Sequence, residues 1–383
     1  MVKADIGIIG AGVVGCAIAR HLAMTYNFRG SPGIAVLEKH NSVCMETSRF
    51  NSGVNHSGFH QEPGSLKAKL ALHGSDLMKK YVEKNLSADK LLNCGMLIAI
   101  SKQEILKNMI HDVPALIHML RRGARQGIGF KFVGSDRIKD IEPNIRALGG
   151  IFIPQVSVID PIAVTESFSR VAMLDGVQFF FDSAVKNITV KKEGYFVSTD
   201  NGEFHFKCLI NSAGLYADDI ACMAGVNKYK VYPWRGEYYE LVGLPKDYVR
   251  TLVYPAVSKN SPGKGIHFRP LMNGKVLIGP TAKLVDSKDN YDKDRLSKEV
   301  FLKGAQKFFP YIKEENLIPS YAGIRPKLSR DGLEEDFIIS LDRNQPPLIN
   351  LIAIESPGLS SSMAIAEYVS DLLSRFIVKK KIT

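Results

Sequence analysis

The sequence ADIGIIGAGVVGCAIARHLAM, residues 4–24, decides the fold of this chain. Its short apolar run is long enough for one buried parallel strand and leads into a G-x-G-x-x-G pattern formed by Gly10, Gly12 and Gly15. No helix breaker follows, so a helix is predicted to begin inside the pattern. Gly10 permits the tight turn, Gly12 lets a pyrophosphate approach the backbone, and Gly15 lets helix and strand pack closely. The helix N–H groups and dipole would face the phosphates.

A second strand and an acid extend this pattern. Residues 34–37 form another apolar run, which ends at Glu38, 23 residues after Gly15. A carboxylate about 20 residues after the glycines is suited to bind a ribose hydroxyl. The order strand, glycine turn, helix, strand and acid predicts a dinucleotide site; the alternative is an ordinary βαβ unit with a glycine-rich turn. An acid at position 38 disfavours a ligand with a 2′-phosphate.

Length and composition are those of a soluble globular protein with room for two domains. The chain has 383 residues, of which 45% are hydrophobic and 23% are charged. Because no apolar run reaches roughly 18 residues, no membrane-spanning helix is expected. The five cysteines are widely spaced and form no C-x-x-C pair. We therefore expect reduced thiols in a cytoplasmic protein, without a disulfide framework and without a zinc or iron–sulfur site.

The net charge of +11 is compatible with several kinds of partner. Nucleic acid, an anionic membrane and an anionic substrate would all favour a basic protein. The basic residues are dispersed, apart from the segments 121–125 and 379–381, and no nucleic-acid-binding module accompanies them. We predict no nucleic-acid partner and interpret the charge as solvated helix faces and a frayed tail. A peripheral contact of the tail with the inner face of the membrane is the alternative.

The chain beyond the first βαβ unit does not continue the βαβ rhythm. Residues 90–150 contain strands and helices without that rhythm, and residues 229–300 contain strands that alternate more like antiparallel ones. Strand–turn–helix patterns return near 204–216 and 348–376. We predict an α/β fold (α+β overall), with a discontinuous Rossmann-like dinucleotide-binding domain and a mixed or antiparallel-sheet substrate domain. The dinucleotide-binding domain is predicted to comprise residues 1–89, 154–228 and 321–383, and the substrate domain residues 90–153 and 229–320.

A long polar segment, residues 39–64, follows the second strand. It is too polar for a core and longer than most connections, and long ordered loops are usually functional. Its dense set of polar side chains comprises Thr47, Ser48, Arg49, Asn51, Ser52, His56, Ser57 and His60.

Several segments together resemble the D-amino acid oxidase superfamily of flavoproteins. Besides the glycine pattern and Glu38, they are TSRFNSGVNHSG, LINSAGLYADDIA, RGEYYEL, GIRPK and SPGLSSSMAIAEYV. Within the superfamily the chain is most similar to L-2-hydroxyglutarate dehydrogenase/oxidase-like proteins, and next to anaerobic-type glycerol-3-phosphate dehydrogenases. The similarity extends from about residue 4 to residue 373.

The resemblance implies FAD as the cofactor and makes the discontinuous domain an FAD-binding domain. The helix that begins near Gly358 could direct its dipole at the pyrimidine end of the flavin. Local capping is the alternative role for the polar residues of 47–53. The residues that this resemblance predicts to bind the cofactor are Gly10, Gly12, Val14, Gly15, Glu38, Lys39, Thr47, Ser48, Asn51, Ser52, Gly53, Val185, Ala213, Gly214, Gly358, Leu359 and Ser360.

The resemblance also implies a clamp for a substrate carboxylate. In the superfamily the arginine of a GIRP segment binds that carboxylate, which here is Arg325, and Lys327 could bind a second anionic group. Arginine suits this role because its planar fork forms two charge-assisted hydrogen bonds at once. A surface ion pair is the alternative for Arg325.

Two histidines are candidates for the base that accepts the hydroxyl proton. His56 lies in the polar segment, and His267 lies on a strand that similar proteins place over the flavin; histidine titrates in the useful range. A purely structural role is the alternative for each. Weaker candidates for the substrate pocket are Tyr254, Tyr239, Tyr238 and Arg235, although alternating tyrosines on a strand usually reflect sheet packing.

Four functions are candidates for this chain. The first is oxidation of a small anionic 2-hydroxy acid, similar to L-2-hydroxyglutarate, to the 2-oxo acid by hydride transfer to flavin N5. The second is oxidation of glycerol 3-phosphate, the third is amino acid oxidation, and the fourth is a flavin-binding protein without turnover. The chain lacks a second glycine fingerprint, so the electron acceptor is predicted to be oxygen, a quinone or another carrier and not a nicotinamide nucleotide.

Overall fold

The computed structural model describes residues 1–26, 33–103, 105–257 and 263–376. The basic segment 379–381 lies outside these residues, so its membrane contact stays a prediction. In chain order the elements are β1 (Val2–Ile9), α1 (Val13–Thr25), β2 (Ile34–Leu37), β3 (Val54–Asn55), α2 (Leu66–Asn85), β4 (Leu91–Leu92), β5 (Met96–Ser101), α3 (Ile105–Arg125), β6 (Lys131–Gly134), α4 (Ser135–Ile141), β7 (Ala147–Ile153), β8 (Ser157–Ile159), α5 (Pro161–Leu174), β9 (Gln178–Phe180), β10 (Val185–Lys191), β11 (Gly194–Thr199), β12 (Gly202–Asn211), α6 (Ala217–Met223), β13 (Tyr232–Leu241), β14 (Leu252–Pro255), β15 (His267–Pro270), β16 (Val276–Gly279), β17 (Lys283–Leu284), α7 (Lys298–Gln306), β18 (Leu317–Lys327), β19 (Ile338–Asn344), β20 (Pro347–Ile352) and α8 (Gly358–Leu373).

The amino-terminal strand lies in the middle of an eight-stranded sheet ordered β10-β11-β12-β1-β2-β9, with β20 beside β12 and β19 beside β20. β1 pairs in parallel with β2 and β12, as a βαβ unit requires. Ile6 and Ile8 of β1 are fully buried, and they share a core cluster with side chains of α1, α5 and α8. Burial of apolar residues on both faces of the parallel strands accounts for their almost uninterrupted apolar sequence.

A second, nine-stranded sheet is ordered β17-β13-β16-β15-β14-β5-β7-β6, with β18 beside β13. β5 and β14 are parallel, whereas β13 is antiparallel to its neighbours β16, β17 and β18. Phe268 of β15 and Phe301 of α7 are fully buried in the core on one face. The predicted α/β fold with a Rossmann-like domain and a mixed or antiparallel sheet is confirmed.

The strands of the two sheets come from alternating parts of the chain. The eight-stranded sheet uses strands within 1–89, 154–228 and 321–383, while β5 to β7 and β13 to β17 of the other sheet lie within 90–153 and 229–320. β18 runs across residue 320, where the sequence analysis placed a boundary. The division into domains at these residues remains a prediction.

The strand β18 was not expected from the sequence, because Pro319, Gly323 and Pro326 all disfavour regular strands. β18 pairs with β13 alone among the described strands, and proline is tolerated on an edge strand because one side needs no N–H donor. The consequence is functional, since Arg325 becomes a residue of the sheet and not of a loop. In the described part of the chain no helix combines the length and apolarity needed to cross a bilayer.

The packing of α1 against the turn before it can be tested with Gly15→Ala. A Cβ at this position would overlap the carbonyl oxygen of Gly10 and lie 2.8 Å from Ser212 Oγ. We expect a loss of about 1–3 kcal/mol of unfolding free energy, since backbone atoms cannot move aside easily. Thermal and urea denaturation measure it. Gly134→Ala is the matched control, because a Cβ there has no neighbour within 4 Å, and equal stability of the two variants would contradict the prediction.

Candidate active site

A cavity of about 940 Å³ extends from the glycine turn after β1 to the inner side of the nine-stranded sheet. One end is lined by the segments that the sequence analysis assigned to the cofactor. The other end holds most of the predicted substrate residues. The predicted residues on its wall are Gly10, Gly12, Val14, Glu38, Lys39, Thr47, Ser48, Asn51, Ser52, His56, Val185, Ala213, Gly214, Tyr238, Tyr254, His267, Arg325, Lys327, Gly358 and Leu359.

The glycine turn leaves room for a ligand against the backbone. Gly10 has φ +101°, and a Cβ there would lie 2.7 Å from the carbonyl oxygen of Ser212. A Cβ at Gly12 would lie 2.9 Å from Ser48 Oγ and would fill the space in front of the first turn of α1. Ser48 Oγ accepts a hydrogen bond from Val13 N at 2.9 Å, so a hydroxyl occupies part of the helix N-terminus.

Glu38 lies at the end of β2, beside this turn. Its carboxylate is nearly buried and accepts hydrogen bonds from Ala11 N at 2.8 Å and His40 N at 3.0 Å. These bonds hold the carboxylate at the cavity wall and leave lone pairs for ligand hydroxyls. Lys39, the next residue, pairs with Glu46 and places its Nζ 3.6 Å from the ring centre of Tyr216. The cradle of small residues, the helix N-terminus and this acid fit a dinucleotide.

The polar loop 47–53 combines cavity-lining and local roles. Thr47 Oγ1 donates to Ile324 O at 2.8 Å, which ties the loop to β18. Asn51 Nδ2 donates to Ser48 O at 2.6 Å, and Asn51 Oδ1 accepts from Gly53 N at 2.6 Å. The capping interpretation therefore holds for Asn51, although its side chain also lines the cavity.

Three predicted cofactor residues lie behind the cavity wall and not on it. Gly15 packs against Gly10, and Gly53 packs against Ile159, where a Cβ would lie 2.5 Å from the carbonyl oxygen. Ser360 is fully buried in the first turn of α8, and its Oγ accepts a hydrogen bond from His56 N at 2.8 Å. These residues can shape the cradle, and Ser360 couples α8 to a catalytic candidate.

Two predicted substrate residues point away from the cavity. Arg235 is fully buried, and its guanidinium pairs with Glu237 at 2.8 Å and donates to Asp294 O at 2.9 Å. Tyr239 packs against Phe301 in the core, with ring centres 4.4 Å apart. The prediction that Arg235 and Tyr239 bind substrate is therefore corrected. Successive strand residues face opposite sides of a sheet, and both lie on the side opposite the cavity.

The substrate end contains a stacked aromatic pair with a defined histidine tautomer. The rings of Tyr254 and His267 are parallel, with centres 3.8 Å apart. His267 Nδ1 donates to Gly265 O at 3.1 Å, because a carbonyl can only accept. In the neutral ring Nε2 is then an acceptor, and it is buried without a hydrogen-bond partner among the described residues. Burial, with Arg269 and Lys264 nearby, lowers the pKa of His267 to about 3, so the ring is neutral at pH 7.

Arg325 lies on β18 at the same end of the cavity. Its Nη2 donates to Thr281 O at 3.1 Å. No described carboxylate lies within ion-pair distance of it, so the alternative of a surface ion pair does not apply. Lys327 Nζ donates to Gly332 O at 2.6 Å and lies 3.7 Å from Glu355, which also pairs with Lys67 at 3.0 Å.

Lys264 is a site residue that the sequence analysis missed. Its Nζ is buried at the cavity without a hydrogen-bond partner in the described structure. Burial lowers the pKa of Lys264 to about 8, although Glu334 and Glu355 act in the opposite direction. In the sequence, Lys264 is marked only by its position between two glycines just before the strand of His267. That pattern is too common to identify a binding site. An unpaired buried cation of this kind calls for an anionic ligand.

The arrangement can therefore hold a dinucleotide at one end and an anion beside a neutral histidine at the other. Within the described residues no group of three or more His, Cys, Asp or Glu side chains is placed to hold a metal ion. The site thus offers positioning, electrostatic stabilisation and proton transfer from its own side chains.

Comparisons with known proteins agree with this geometry. Residues 5–372 match the DAO family, described as FAD dependent oxidoreductase. The glycerol 3-phosphate dehydrogenase of Caloramator mitchellensis is 32% identical, over 98% of this chain and 75% of that protein. The L-2-hydroxyglutarate dehydrogenase of Indibacter alkaliphilus is 30% identical, over 96% of this chain and 98% of that protein.

A solved structure shares the whole fold. The dithionite-reduced L-alpha-glycerophosphate oxidase of Mycoplasma pneumoniae, with FAD bound, superposes with a TM-score of 0.85 at 26% identity, covering 100% of this chain and 97% of that one. The predicted superfamily and the predicted cofactor are both confirmed. The chain belongs to the DAO family of FAD-dependent oxidoreductases, and it is an enzyme that passes electrons from a substrate through FAD to an acceptor.

Proposed function

We propose that this enzyme oxidises the hydroxyl-bearing carbon of a small dianionic 2-hydroxy acid, similar to L-2-hydroxyglutarate, to the 2-oxo acid. The observation that carries the proposal concerns three groups in one cavity. Among the described residues, Arg325 and Lys264 have no carboxylate partner and His267 Nε2 has no hydrogen-bond partner. The dehydrogenase from Indibacter alkaliphilus, whose name specifies L-2-hydroxyglutarate, supports this substrate class.

FAD would lie between the glycine turn and the amino terminus of α8. Gly10, Gly12 and the first turn of α1 would face the pyrophosphate, and Glu38 the adenosine ribose. The loop 47–53 and Gly358 would flank the flavin. Bound FAD supplies the two-electron acceptor for the hydride of the substrate.

The two cations have separate roles in binding the substrate. The Arg325 guanidinium suits the carboxylate next to the reacting carbon, because its fork matches two carboxylate oxygens. Lys264 suits the distal anionic group as a point charge. Lys327 is the weaker candidate for that group, since Gly332 O and Glu355 already occupy its ammonium.

The proton of the hydroxyl group would pass to a neutral histidine. His267 has its acceptor nitrogen unpartnered and its ring held by Gly265 and Tyr254. His56 has an unpartnered Nδ1 in the same cavity, and burial lowers its pKa well below the usual range, with Lys264 contributing next. We favour His267 as the base, since its tautomer is defined, and His56 remains the second candidate.

Glycerol 3-phosphate is the second candidate substrate. The ammonium of Lys264 would serve a phosphate as readily as a carboxylate. The relatives from Caloramator mitchellensis and Mycoplasma pneumoniae, whose names specify a glycerol 3-phosphate dehydrogenase and a glycerophosphate oxidase, support this alternative. For the electron acceptor we keep oxygen, a quinone or another carrier, and for the location the cytoplasm with or without a peripheral membrane contact.

Glu38→Gln tests the proposed cofactor site. Loss of the negative charge should weaken FAD binding by about 10-fold or more, because a charged hydrogen-bond acceptor contributes about 1.5–3 kcal/mol. Fluorescence titration of apoprotein with FAD measures the dissociation constant. Glu203→Gln, an exposed residue of β12, is the matched control. Unchanged affinity in Glu38→Gln with a normal melting temperature would remove Glu38 from the site.

Anaerobic bleaching of the flavin identifies the substrate. We expect L-2-hydroxyglutarate to reduce the bound FAD rapidly, with glycerol 3-phosphate and amino acids slower or inactive. Reduction by glycerol 3-phosphate alone would establish the second candidate instead. If no hydroxy acid and no glycerol phosphate bleached a fully loaded protein, the proposed function would be wrong.

The pH dependence of kcat/KM tests Lys264. Its ammonium is charged below pH about 8 and loses the charge above it, so kcat/KM for a dianionic substrate should fall as the pH rises through about 8. Lys264→Met should lower kcat/KM by about 10- to 100-fold at pH 7 and abolish this alkaline fall. Lys246→Met, at an exposed position, is the control. If kcat/KM of Lys264→Met still fell at alkaline pH, the fall would belong to the titration of another group.

A further inference from the structure

Several buried polar atoms in the segment 56–61 have no hydrogen-bond partner among the described residues. Among the described residues, His56 Nδ1, His60 Nε2 and both amide atoms of Gln61 are buried without a hydrogen-bond partner, and all three side chains line the cavity. An unsatisfied buried polar group costs about 1–3 kcal/mol, so a row of them in an open cavity calls for ordered water or ligand atoms.

His60 lies beside His56 and Tyr254 at the substrate end of the cavity. Its ring centre is 6.2 Å from that of His56 and 6.0 Å from that of Tyr254, which stacks on His267. At the separation between His56 and His60 a single water can bridge the two imidazoles. The base candidates and His60 therefore form one cluster.

The backbone around His60 is held by α3. Arg122 Nη1 donates to His60 O at 2.9 Å, and Gln126 Nε2 donates to Gln61 O at 3.1 Å. The fold therefore fixes the backbone that carries the His60 ring.

The outer end of the row reaches solvent. Arg122 pairs with Glu62, which lines the same cavity and has a side chain that is 55% exposed. Protons arriving at Glu62 can exchange directly with bulk water. His60, Gln61 and Glu62 are consecutive in the chain, and all three line this cavity.

We propose that His60 relays the hydroxyl proton of the substrate from the catalytic base to solvent at Glu62. The proposal rests on the alcohol oxidation proposed above. In that reaction the O–H and C–H bonds break and a C=O bond forms, while the hydride carries two electrons to the flavin. The proton goes to His267 or His56, then through water and His60 to the surface, and the base returns to its neutral form.

The electrostatic environment of His60 agrees with this role. Burial, followed by Lys264, His267 and Arg122, keeps the pKa of His60 well below its usual range. A neutral imidazole offers one donor and one acceptor, so it can accept a proton at one nitrogen and release one from the other. A charged histidine in this position could not accept a proton.

Stopped-flow flavin reduction and proton release by His60→Ala, which leaves space for added imidazole, and by His60→Gln test the relay. Because His60 acts through the base, the test needs a measurement that responds to loss of the relay and not to a structural defect. We expect flavin reduction to slow by about 10-fold or more, with added imidazole restoring the rate. Proton release, followed with a pH indicator, should lag behind flavin reduction in both variants and coincide with it in the wild type. His73→Gln, which removes an exposed histidine of α2, is the matched control.

The outcomes separate the two proposals. Wild-type flavin that no hydroxy acid or glycerol phosphate reduces would reject the proposed function. Wild-type flavin that is reduced, with the rate and the synchrony of proton release unchanged in both His60 variants, would reject the relay alone. Slower flavin reduction that imidazole does not rescue, with no lag in proton release, would assign His60 a structural role. That result would also reject the relay. FAD content and melting temperature of each variant establish that the protein is folded and loaded.

Discussion

The close approach of α1 to the turn that precedes it is the constraint on which the cavity depends. Gly15 packs against Gly10 with no room for a side chain, so the helix begins directly at the end of β1. The first turn of α1 and the acid at the end of β2 then face the same space. Any side chain at Gly12 would fill that space, because Ser48 already lies 2.9 Å from where its Cβ would be.

The nine-stranded sheet supplies the opposite wall, and strand alternation decides which of its residues reach the cavity. His267 and Arg325 lie on different strands, β15 and β18, that converge on one end of the cavity. Arg235 lies on β13 opposite Ile324, one register step from Arg325, and it faces the other side. Neighbouring register positions therefore face opposite sides of the sheet. Arg325 faces the cavity as a substrate candidate, and Arg235 forms a structural ion pair on the other side.

The charges at the substrate end of the cavity favour binding of an anion, and they also favour the neutral form of the nearby histidines. Burial, followed by nearby positive charges that include Lys264, keeps the pKa of His267 and of His56 well below the usual range, so both rings are neutral. An arriving dianion would compensate the cations and make proton acceptance by His267 easier. In the proposed reaction, the same charges would couple substrate binding to proton transfer.

Local sequence was sufficient for the features that depend on neighbours in the chain. The βαβ unit was predicted from the glycine spacing, the apolar strands and Glu38, because backbone sterics and strand periodicity act within a few residues. FAD was predicted from the resemblance that several motifs carry together. Lys264, the side-chain direction of Arg235, the strand β18 and the cluster around His60 were decided by the tertiary structure. Their roles depend on burial and on partners distant in sequence, which no local pattern encodes. His60 and Arg122, for example, are 62 positions apart in the chain.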